Sequence, residues 1–263
     1  MNIGYRAALL LSSSIAATLA ADAGSILQRF VEQSSANAKR ASQYTYVQQV
    51  EHYTIEPAGS AKLERSETVE IIFVEGGEYQ KLIARNGHPL DTKEQAKEDQ
   101  RLAQTAAERR KQHHGSLLQK EVSLGSNTDL LTLFESRLIG EDELGGHKTW
   151  VIEATPLASH KPVSKHEKEA MSFSRKLWID QNDYVAVRSS ETVVGDHIVL
   201  MPGTTIAIEY EKINQDAWIQ TSLVIDGRLQ IAKFIKPRVR TEYHSSNFQK
   251  FDVKSTITTS PRP

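Results

Sequence analysis

The 263-residue chain contains no cysteine. Without cysteine there can be no disulfide, thiolate nucleophile or cysteine-ligated metal, and no thiol for lipid attachment behind a leader sequence. The sequence also has no G-x-S-x-G elbow and no H-E-x-x-H pair, the patterns typical of serine hydrolases and zinc proteases. A formal net charge of -1 gives no general attraction to nucleic acid. These absences predict a non-catalytic protein without a cofactor, held together by core packing and sheet hydrogen bonds.

Long hydrophobic runs are absent as well, apart from a short one near the start. Arg6 precedes the acid-free run Ala7–Ala21, which is shorter than the 20 or so apolar residues of a transmembrane helix. A basic residue, an apolar centre and small residues in this order are typical of a secretory signal peptide. We therefore predict a signal peptide over residues 1–23, cleaved after Ala20 or Ala23, a periplasmic or secreted protein, and no transmembrane segment.

Most of the remaining chain has the alternating pattern of β-strands. Residues 174–194 predict a hairpin, because Leu177 and Ile179 alternate before a polar turn at 181–183 and Val187 continues the alternation after it. Asn86-Gly87 is typical of a type I′ hairpin turn, in which both residues have positive φ. Further strands are predicted at Tyr44–Ile55, Thr68–Val74, Glu78–Ala84, Lys148–Thr155, Thr204–Tyr210, Ala217–Ile225, Arg228–Ile235 and Val239–His244.

Three segments have helical patterns. Gly24–Ser42 places Ile26, Leu27, Phe30 and Val31 on one side. Lys93–His113 is rich in Ala, Glu, Gln, Lys and Arg after a capping box, formed by Asp91 with Glu94 or by Thr92 with Gln95. Its apolar stripe is thin, which predicts an exposed helix.

The third segment is Asp129–Ile139, where leucine and phenylalanine recur at helical spacing before Gly140. We expect a short helix that covers an apolar surface of the sheet.

Three stretches together resemble bacterial LolA-like proteins: YTYVQQVE after the first helix, KLWIDQNDYVAVR in the central hairpin, and EYHSSNFQKFDV near the end. This superfamily includes outer-membrane lipoprotein-sorting carriers and the sensing domain of RseB-type regulators. The resemblance implies a mainly β (α+β) fold, an incomplete antiparallel β-barrel or half-barrel with an N-terminal helix and central covering helices. It would span residues 24–257, with a helical insertion at 91–140 and a flexible tail at 258–263.

The resemblance also implies an apolar groove that accepts a hydrophobic or lipidic ligand, such as an acyl chain or a lipoprotein, without transforming it. The alternative is an RseB-like module whose surface recognises an envelope protein; a hydrolase is a third class. The groove would be formed by covering-helix residues Leu130, Leu131, Leu133, Phe134 and Leu138, and by wall residues Trp150, Leu177, Ile179, Ile206, Ile208 and Ile231.

Other polar residues have simpler interpretations. The pairs His113-His114 and His160 with His166 lack the converging set that a metal site needs and are interpreted as solvated. Glu209 and Glu211 share one face of a strand, as solvent-facing charges do. The basic cluster Lys233, Lys236, Arg238 and Arg240 could contact lipid head groups or an acidic partner, but a solvated strand that is protected from edge pairing is the favoured interpretation.

Overall fold

A computed structural model describes residues 12–112, 127–230 and 237–251. The elements follow in the order α1 (Ser12–Ala41), β1 (Tyr44–Ile55), β2 (Ala61–Val74), β3 (Gly77–Arg85), β4 (His88–Pro89), α2 (Thr92–Gln112), a 3₁₀ helix (Asn127–Leu131), β5 (Phe134–Leu144), β6 (His147–Pro156), α3 (Lys165–Ala170), β7 (Phe173–Asp180), β8 (Ala186–Val193), β9 (Thr205–Ile213), β10 (Ala217–Arg228) and β11 (Arg238–Lys250). The proposed domain bounds at 24–257 stay a prediction.

All eleven strands belong to one antiparallel sheet, in the order β4-β3-β2-β1-β11-β10-β9-β8-β7-β6-β5. The two outermost strands, β4 and β5, do not pair with each other, so the sheet is open. The fold class expected from the sequence, a mainly β incomplete barrel with helices, is confirmed.

Most predicted elements are present. β1 has the expected bounds, and Asn86 and Gly87 have φ angles of 50° and 77°, as a type I′ turn requires. The central hairpin is formed by β7 and β8. The strand expected at Arg228–Ile235 is not separate at its start, because Arg228 ends β10, and residues 231–236 lie outside the described part of the chain.

The first helix covers the sheet as its apolar side predicts. Ile26, Leu27 and Phe30 of α1 are buried against β5, β6 and β7. Near its C-terminal end, the Asn37 side chain acts like a strand partner for Trp218 in β10: its Nδ2 donates to the carbonyl oxygen (2.7 Å), and its Oδ1 accepts from the backbone N–H (2.8 Å). Helix α1 therefore crosses the sheet from β5 to β10.

The helix predicted at Asp129–Ile139 is wrong. The structure has a 3₁₀ helix at Asn127–Leu131 and then β5, which pairs with β6 from Phe134 to Leu144. Phe134 and Leu138 are four residues apart, and this spacing puts them on one face of either a helix or a strand. Burial decides for the strand, because Phe134, Ser136 and Leu138 are covered while Glu135, Arg137 and Ile139 are exposed. In the described part of the predicted helical insertion there is one long helix, α2, and the segment ends in a strand.

Helix α2 begins with the capping box of Asp91 and Glu94, since the backbone N–H of Glu94 donates to Asp91 Oδ1 (2.8 Å) and that of Asp91 donates to Glu94 Oε2 (3.3 Å). The thin apolar stripe contributes little to the packing of α2. Among the described residues of α2, Ala106 is the one buried apolar side chain. Polar side chains attach it to β3 instead.

The outer edge of β3 is occupied by side chains of α2. Arg109 donates to the carbonyl oxygens of Val74 (2.9 Å), Gly77 (2.6 Å) and Glu78 (2.7 Å), and Arg101 donates to that of Gln80 (2.6 Å). The carboxylate of Glu98 accepts the Leu82 N–H at 3.2 Å. Glu78, Gln80 and Leu82 are alternate residues of β3, and a further strand would use backbone groups in this pattern, so α2 protects this edge from pairing with other chains.

Candidate functional site

One face of the sheet carries a continuous row of side chains. Residues directly opposite each other in an antiparallel pair lie on the same face. Following the register from β5 to β1 gives the row Leu138, Ile152, Leu177, Ser189, Ile208, Leu223, Tyr243 and Val50. At about 4.8 Å between strands, this row is roughly 30 Å long, and Ser189 and the Tyr243 hydroxyl carry its only polar groups. We call it the apolar row.

Helix α1 packs on the first part of the apolar row. Ile26, Leu27 and Phe30 form one buried cluster with most of the residues that the sequence assigned to the groove: Leu130, Leu133, Phe134, Leu138, Trp150, Leu177 and Ile179. Ile206 and Ile208 belong to a neighbouring cluster with Phe173 and Val193. The two remaining groove residues are not in either cluster: Leu131 is 44% exposed, and Ile231 lies outside the described residues.

The side chains of the apolar row on β10 and β11 are less covered. Leu223 and Tyr243 are half-buried, as is Ile225 beside Leu223, whereas Val50 at the end of the row is buried. Burial raises the pKa of the Tyr243 phenol, although the charge of Arg65 opposes this rise. The apolar face thus has a tightly covered part beneath α1 and a partly open part on β10 and β11.

A second row, next to the apolar row, is polar at its centre. It comprises Ser136, Ala154, Arg175, Glu191 and Ile206 on the neighbouring strands β5 to β9. Arg175 and Glu191 are 4% and 6% exposed, although charged residues are almost never this buried unless paired. We call this set the polar row.

Arg175 and Glu191 form an ion pair at the centre of the polar row. Arg175 Nε lies 3.8 Å from Glu191 Oε1, beyond hydrogen-bond distance, and its guanidinium carbon lies 5.0 Å from the centre of the Phe134 ring. Burial raises the pKa of Glu191, and the charge of Arg175 only partly offsets that rise. The sequence analysis missed this pair. It could have been suspected from Arg175, because this arginine lies between Phe173 and Leu177 on the buried face of β7.

A cavity of about 610 Å³ opens beside α1, at the turn end of the sheet. Its lining includes Arg29 and Arg40 of α1, Asp183 and Tyr184 of the β7–β8 turn, and Lys212 and Trp218 near the β9–β10 turn. The Tyr184 ring lies 5.0 Å from the ring of Trp150, which packs on the cluster beneath α1. A smaller cavity of about 360 Å³ shares Lys212 and Trp218 with the first.

The larger cavity is lined by equal numbers of acidic and basic residues, and Asp183 pairs with Lys212 among them. Asp183 Oδ2 accepts from Lys212 Nζ (2.7 Å) and from Trp218 Nε1 (2.8 Å). Burial alone would raise the pKa of Asp183, but these two hydrogen bonds outweigh it and the pKa is lowered. The cavity is therefore a polar space of low net charge that adjoins the apolar cluster through Tyr184.

The remaining polar candidates have ordinary partners. His160 pairs with Glu167 (2.9 Å), and His166 pairs with Asp129. Glu209 binds Arg188, and Arg238 and Arg240 bind Asp226, which leaves these two arginines in the solvated role that the sequence favoured. His113, His114, Lys233 and Lys236 lie outside the described residues.

Within residues 12–112, 127–230 and 237–251, no three histidine or carboxylate side chains are placed to hold one metal ion. In the same ranges, no helix has the length and apolar character needed to cross a membrane.

No protein-family model matches the chain, and no curated protein matches it either. Solved structures do match. A domain described as an outer membrane lipoprotein-sorting protein from Vibrio parahaemolyticus is 11% identical, covers 88% of this chain and 95% of its own, and has a TM-score of 0.40.

Two further solved structures match at similar coverage. A LolA superfamily protein from Nitrosomonas europaea is 12% identical over 88% of this chain and 94% of its own, with a TM-score of 0.32. The Pseudomonas aeruginosa MucA/MucB complex matches at 10% identity over 87% of this chain and 99% of its own, with a TM-score of 0.26. The matches include the superfamily that the sequence resembles, but at these scores they carry no conclusion about activity.

Proposed function

We propose that the protein is an exported, non-catalytic binding module that takes a hydrophobic or lipidic ligand on the face of the sheet that α1 covers. The observation that supports this most directly is the apolar row. It crosses eight neighbouring strands, and only its first part is covered by α1. A folded core does not need a row that extends beyond its covering helix, whereas an elongated apolar ligand does.

Helix α1 is a suitable cover for such a site, because its apolar contacts can be exchanged for those of a ligand. Burying the three side chains Ile26, Leu27 and Phe30 contributes roughly 1.5–3 kcal/mol each, or about 5–9 kcal/mol together. An acyl chain that buries about ten methylene groups contributes about 8 kcal/mol. The two amounts are similar, so an acyl chain can compete with the N-terminal part of α1 for the sheet.

The polar cavity beside α1 supplies the second half of an amphiphile site. It adjoins the apolar cluster through Tyr184 and Trp150, and its polar lining offers hydrogen-bond partners for a head group. Export follows from the leader predicted at residues 1–23, and a periplasmic location is part of the proposal.

Two measurements test this function. Lipid extracted from protein purified from the envelope fraction should be detected by mass spectrometry, and a fluorescent fatty-acid probe should bind saturably. A protein that carries no lipid and shows no saturable binding would contradict the proposal. Stoichiometric capture of one envelope protein in the absence of lipid would indicate the alternative function, recognition of a protein partner.

Two substitutions distinguish a residue of the covering helix α1 from a residue of the groove wall on the sheet. Leu27→Ala removes a contact between α1 and the sheet, so it should lower the melting temperature and yet tighten probe binding, by about tenfold if half of the lost cover energy is regained. Ile152→Ala removes part of the groove wall and should lower both the melting temperature and the affinity for the probe. Weaker probe binding in both variants would show that α1 is not exchanged for ligand.

A further inference from the structure

Arg40 of α1 has no hydrogen-bond or ion-pair partner among the described residues. Its side chain lines the larger cavity, and its Nε is shielded from solvent without an acceptor. The other two cations of this lining have partners, since Arg29 donates to the Tyr184 hydroxyl and Lys212 donates to Asp183. A buried donor without an acceptor is costly, so an acceptor that binds beside Arg40 gains more than one that binds at a satisfied group.

Arg40 lies at the end of α1 that is fixed to the sheet. It follows Asn37 by three residues, and this spacing puts both side chains on the same side of the helix. The Asn37 amide is paired with the backbone of Trp218 on β10, and Trp218 lines the same cavity. Arg40 therefore keeps its position when the N-terminal part of α1 is exchanged for a ligand.

The charges around Arg40 do not balance. Its charge acts on two carboxylates, those of Asp183 and Asp216, but each of them already accepts from a lysine. Lys212 donates to Asp183 at 2.7 Å, and Lys250 donates to Asp216 at 2.8 Å. The hydrogen bond from Lys250 has the largest effect in lowering the pKa of Asp216, and the charge of Arg40 lowers it further. This group contains three cations and two carboxylates, so one positive charge remains for an anion.

At the other end of the cavity, charges of opposite sign are equal in number. Arg29 and Glu32 are three residues apart on α1, and both line the cavity. Arg40 lies about 16 Å from Arg29 along the helix axis, since eleven residues separate them. The surplus positive charge is therefore local to Arg40 and is not a property of the whole cavity.

The properties of a guanidinium group restrict the anion. Arginine presents its N–H donors in a planar fork that matches two oxygens of a phosphate or a carboxylate. A phosphate has further oxygens, and the amides of Gln33, Asn182 and Gln215 in the cavity lining are available to donate to them. At about 610 Å³ the cavity has the size of ordinary ligand sites, and it opens to solvent, so a charged phosphate can keep part of its hydration.

We infer that Arg40 binds the phosphate of a phospholipid head group in the larger cavity, while the acyl chains lie on the apolar row. This inference rests on the proposed function, because it names the head group of the ligand that the same site takes. It places the anchored part of the ligand at the fixed end of α1 and the exchanged part beneath the N-terminal end of the helix. It also adds a selectivity that apolar contacts cannot supply, since they do not distinguish a phospholipid from the diacylglycerol with the same chains.

The test compares dioctanoyl phosphatidic acid with dioctanoylglycerol, which differ only in the phosphate, each displacing a fluorescent acyl probe from the full mature protein at fixed pH and low salt. The phosphatidic acid should bind about tenfold more tightly, the ratio expected from one charge-assisted hydrogen bond, and this ratio should fall as salt is added. Equal affinities would overturn the subsite and leave the lipid-binding function intact. If neither compound displaced the probe or bound on its own, both the subsite and the proposed function would fail.

An arm with inorganic phosphate distinguishes a head group from a free anion. Phosphate at the concentrations used for the lipids should not weaken binding of the phosphatidic acid, because it lacks the contribution of the chains. If it competed as well as the lipid itself, the site would belong to free phosphate and the head-group assignment would fail.

Variants locate the selectivity. Arg40→Met keeps most of the apolar stem and should lower the affinity for the phosphatidic acid about tenfold, while the affinity for dioctanoylglycerol stays unchanged. Lys39→Met is the matched control, because it removes the same charge from the preceding residue, which is exposed and does not line the cavity. This control should leave both affinities unchanged. A similar loss in the two variants, or a loss of both lipids in Arg40→Met, would refute a specific contact between Arg40 and the phosphate.

Discussion

Replacing Arg109 by methionine would test whether α2 is attached mainly by side chains that occupy the edge of β3. Methionine keeps most of the length of the arginine stem but removes the three hydrogen bonds to the carbonyl oxygens of Val74, Gly77 and Glu78. Hydrogen bonds from charged donors contribute about 1.5–3 kcal/mol each when buried. Arg109 is half-exposed, so water replaces part of each bond and about 1 kcal/mol per bond is the appropriate value.

The three bonds together then stabilise the docked helix by about 3 kcal/mol, which is roughly a 100-fold change in the equilibrium between docked and detached α2. Hydrogen exchange measured by mass spectrometry reports this equilibrium directly. Amides of α2 should exchange roughly 100-fold faster in Arg109→Met, while those of β7 and β8 should be unchanged. Even in the unmodified protein, α2 should exchange before these central strands.

Arg110→Met is the matched control, because Arg110 lies next in the helix and is 64% exposed at its side chain. It makes an ion pair with Glu75 at 3.0 Å. A surface pair contributes about 0–1 kcal/mol, so this variant should change exchange of α2 less than about fivefold. Equal effects of the two substitutions, or none from Arg109→Met, would refute edge attachment as the main contribution.

Three further predictions follow from other parts of the structure. Burial raises the folded-state pKa of Glu191 above its ordinary value of 4.5, and Arg175 and Tyr210 are the charged or titratable groups that face it, so ionising Glu191 destabilises the fold. The free energy of unfolding of Glu191→Gln minus that of the wild type should therefore increase as pH rises above about 4.5. Denaturant titrations that gave a constant difference would contradict this. Gly227→Ala should be strongly destabilising in thermal melts, since its Cβ would lie 2.3 Å from Thr204 Oγ1 and 2.6 Å from the Thr204 Cα; an unchanged melting temperature would show that this hairpin can shift. Intact-mass measurement of envelope protein should show a chain that lacks the predicted leader, and a mass that still includes Met1 would count against export by this route.

The sequence predicted those parts of the fold where local and tertiary preferences agree. Tyr44–Ile55 alternates along its whole length and forms β1 with these bounds, and Asn86-Gly87 is a residue pair that type I′ turns prefer. Ile26, Leu27 and Phe30 form an apolar side, and that side is buried. Each signal here is contained within a few neighbouring residues.

The helix predicted at Asp129–Ile139 was wrong because a helical period and a strand period fit the same residues. Phe134 and Leu138 suit a helix and a strand equally, and only pairing with β6, a contact remote from this local pattern, selects the strand. The attachment of α2 to β3 was missed for a related reason. The side chains that make it belong to arginines and a glutamate, which local patterns assign to solvent. Seven of the residues assigned to the groove lie in one cluster beneath α1, although the helix that covers them is not the one expected, and their role in binding stays a prediction.

The polar row illustrates a third kind of limit. Ser136, Arg175 and Glu191 come from three strands, and nothing in their spacing along the chain relates them. Only the register of the sheet aligns them, so a residue-level argument from sequence could flag Arg175 as an oddity but could not name its neighbours.

The side-chain amide of Asn37 is placed to act as a pivot for α1. Two hydrogen bonds to the backbone of Trp218 fix the helix near its C-terminal end, whereas Ile26 is held by apolar contacts, which have no preferred direction. Eleven residues separate Asn37 from Ile26, so this part of α1 is about 16 Å long. A tilt of roughly 20° about Asn37 would lift Ile26 by about 6 Å, more than the spacing between two neighbouring strands. A small change of angle at β10 would therefore produce a larger displacement above β5.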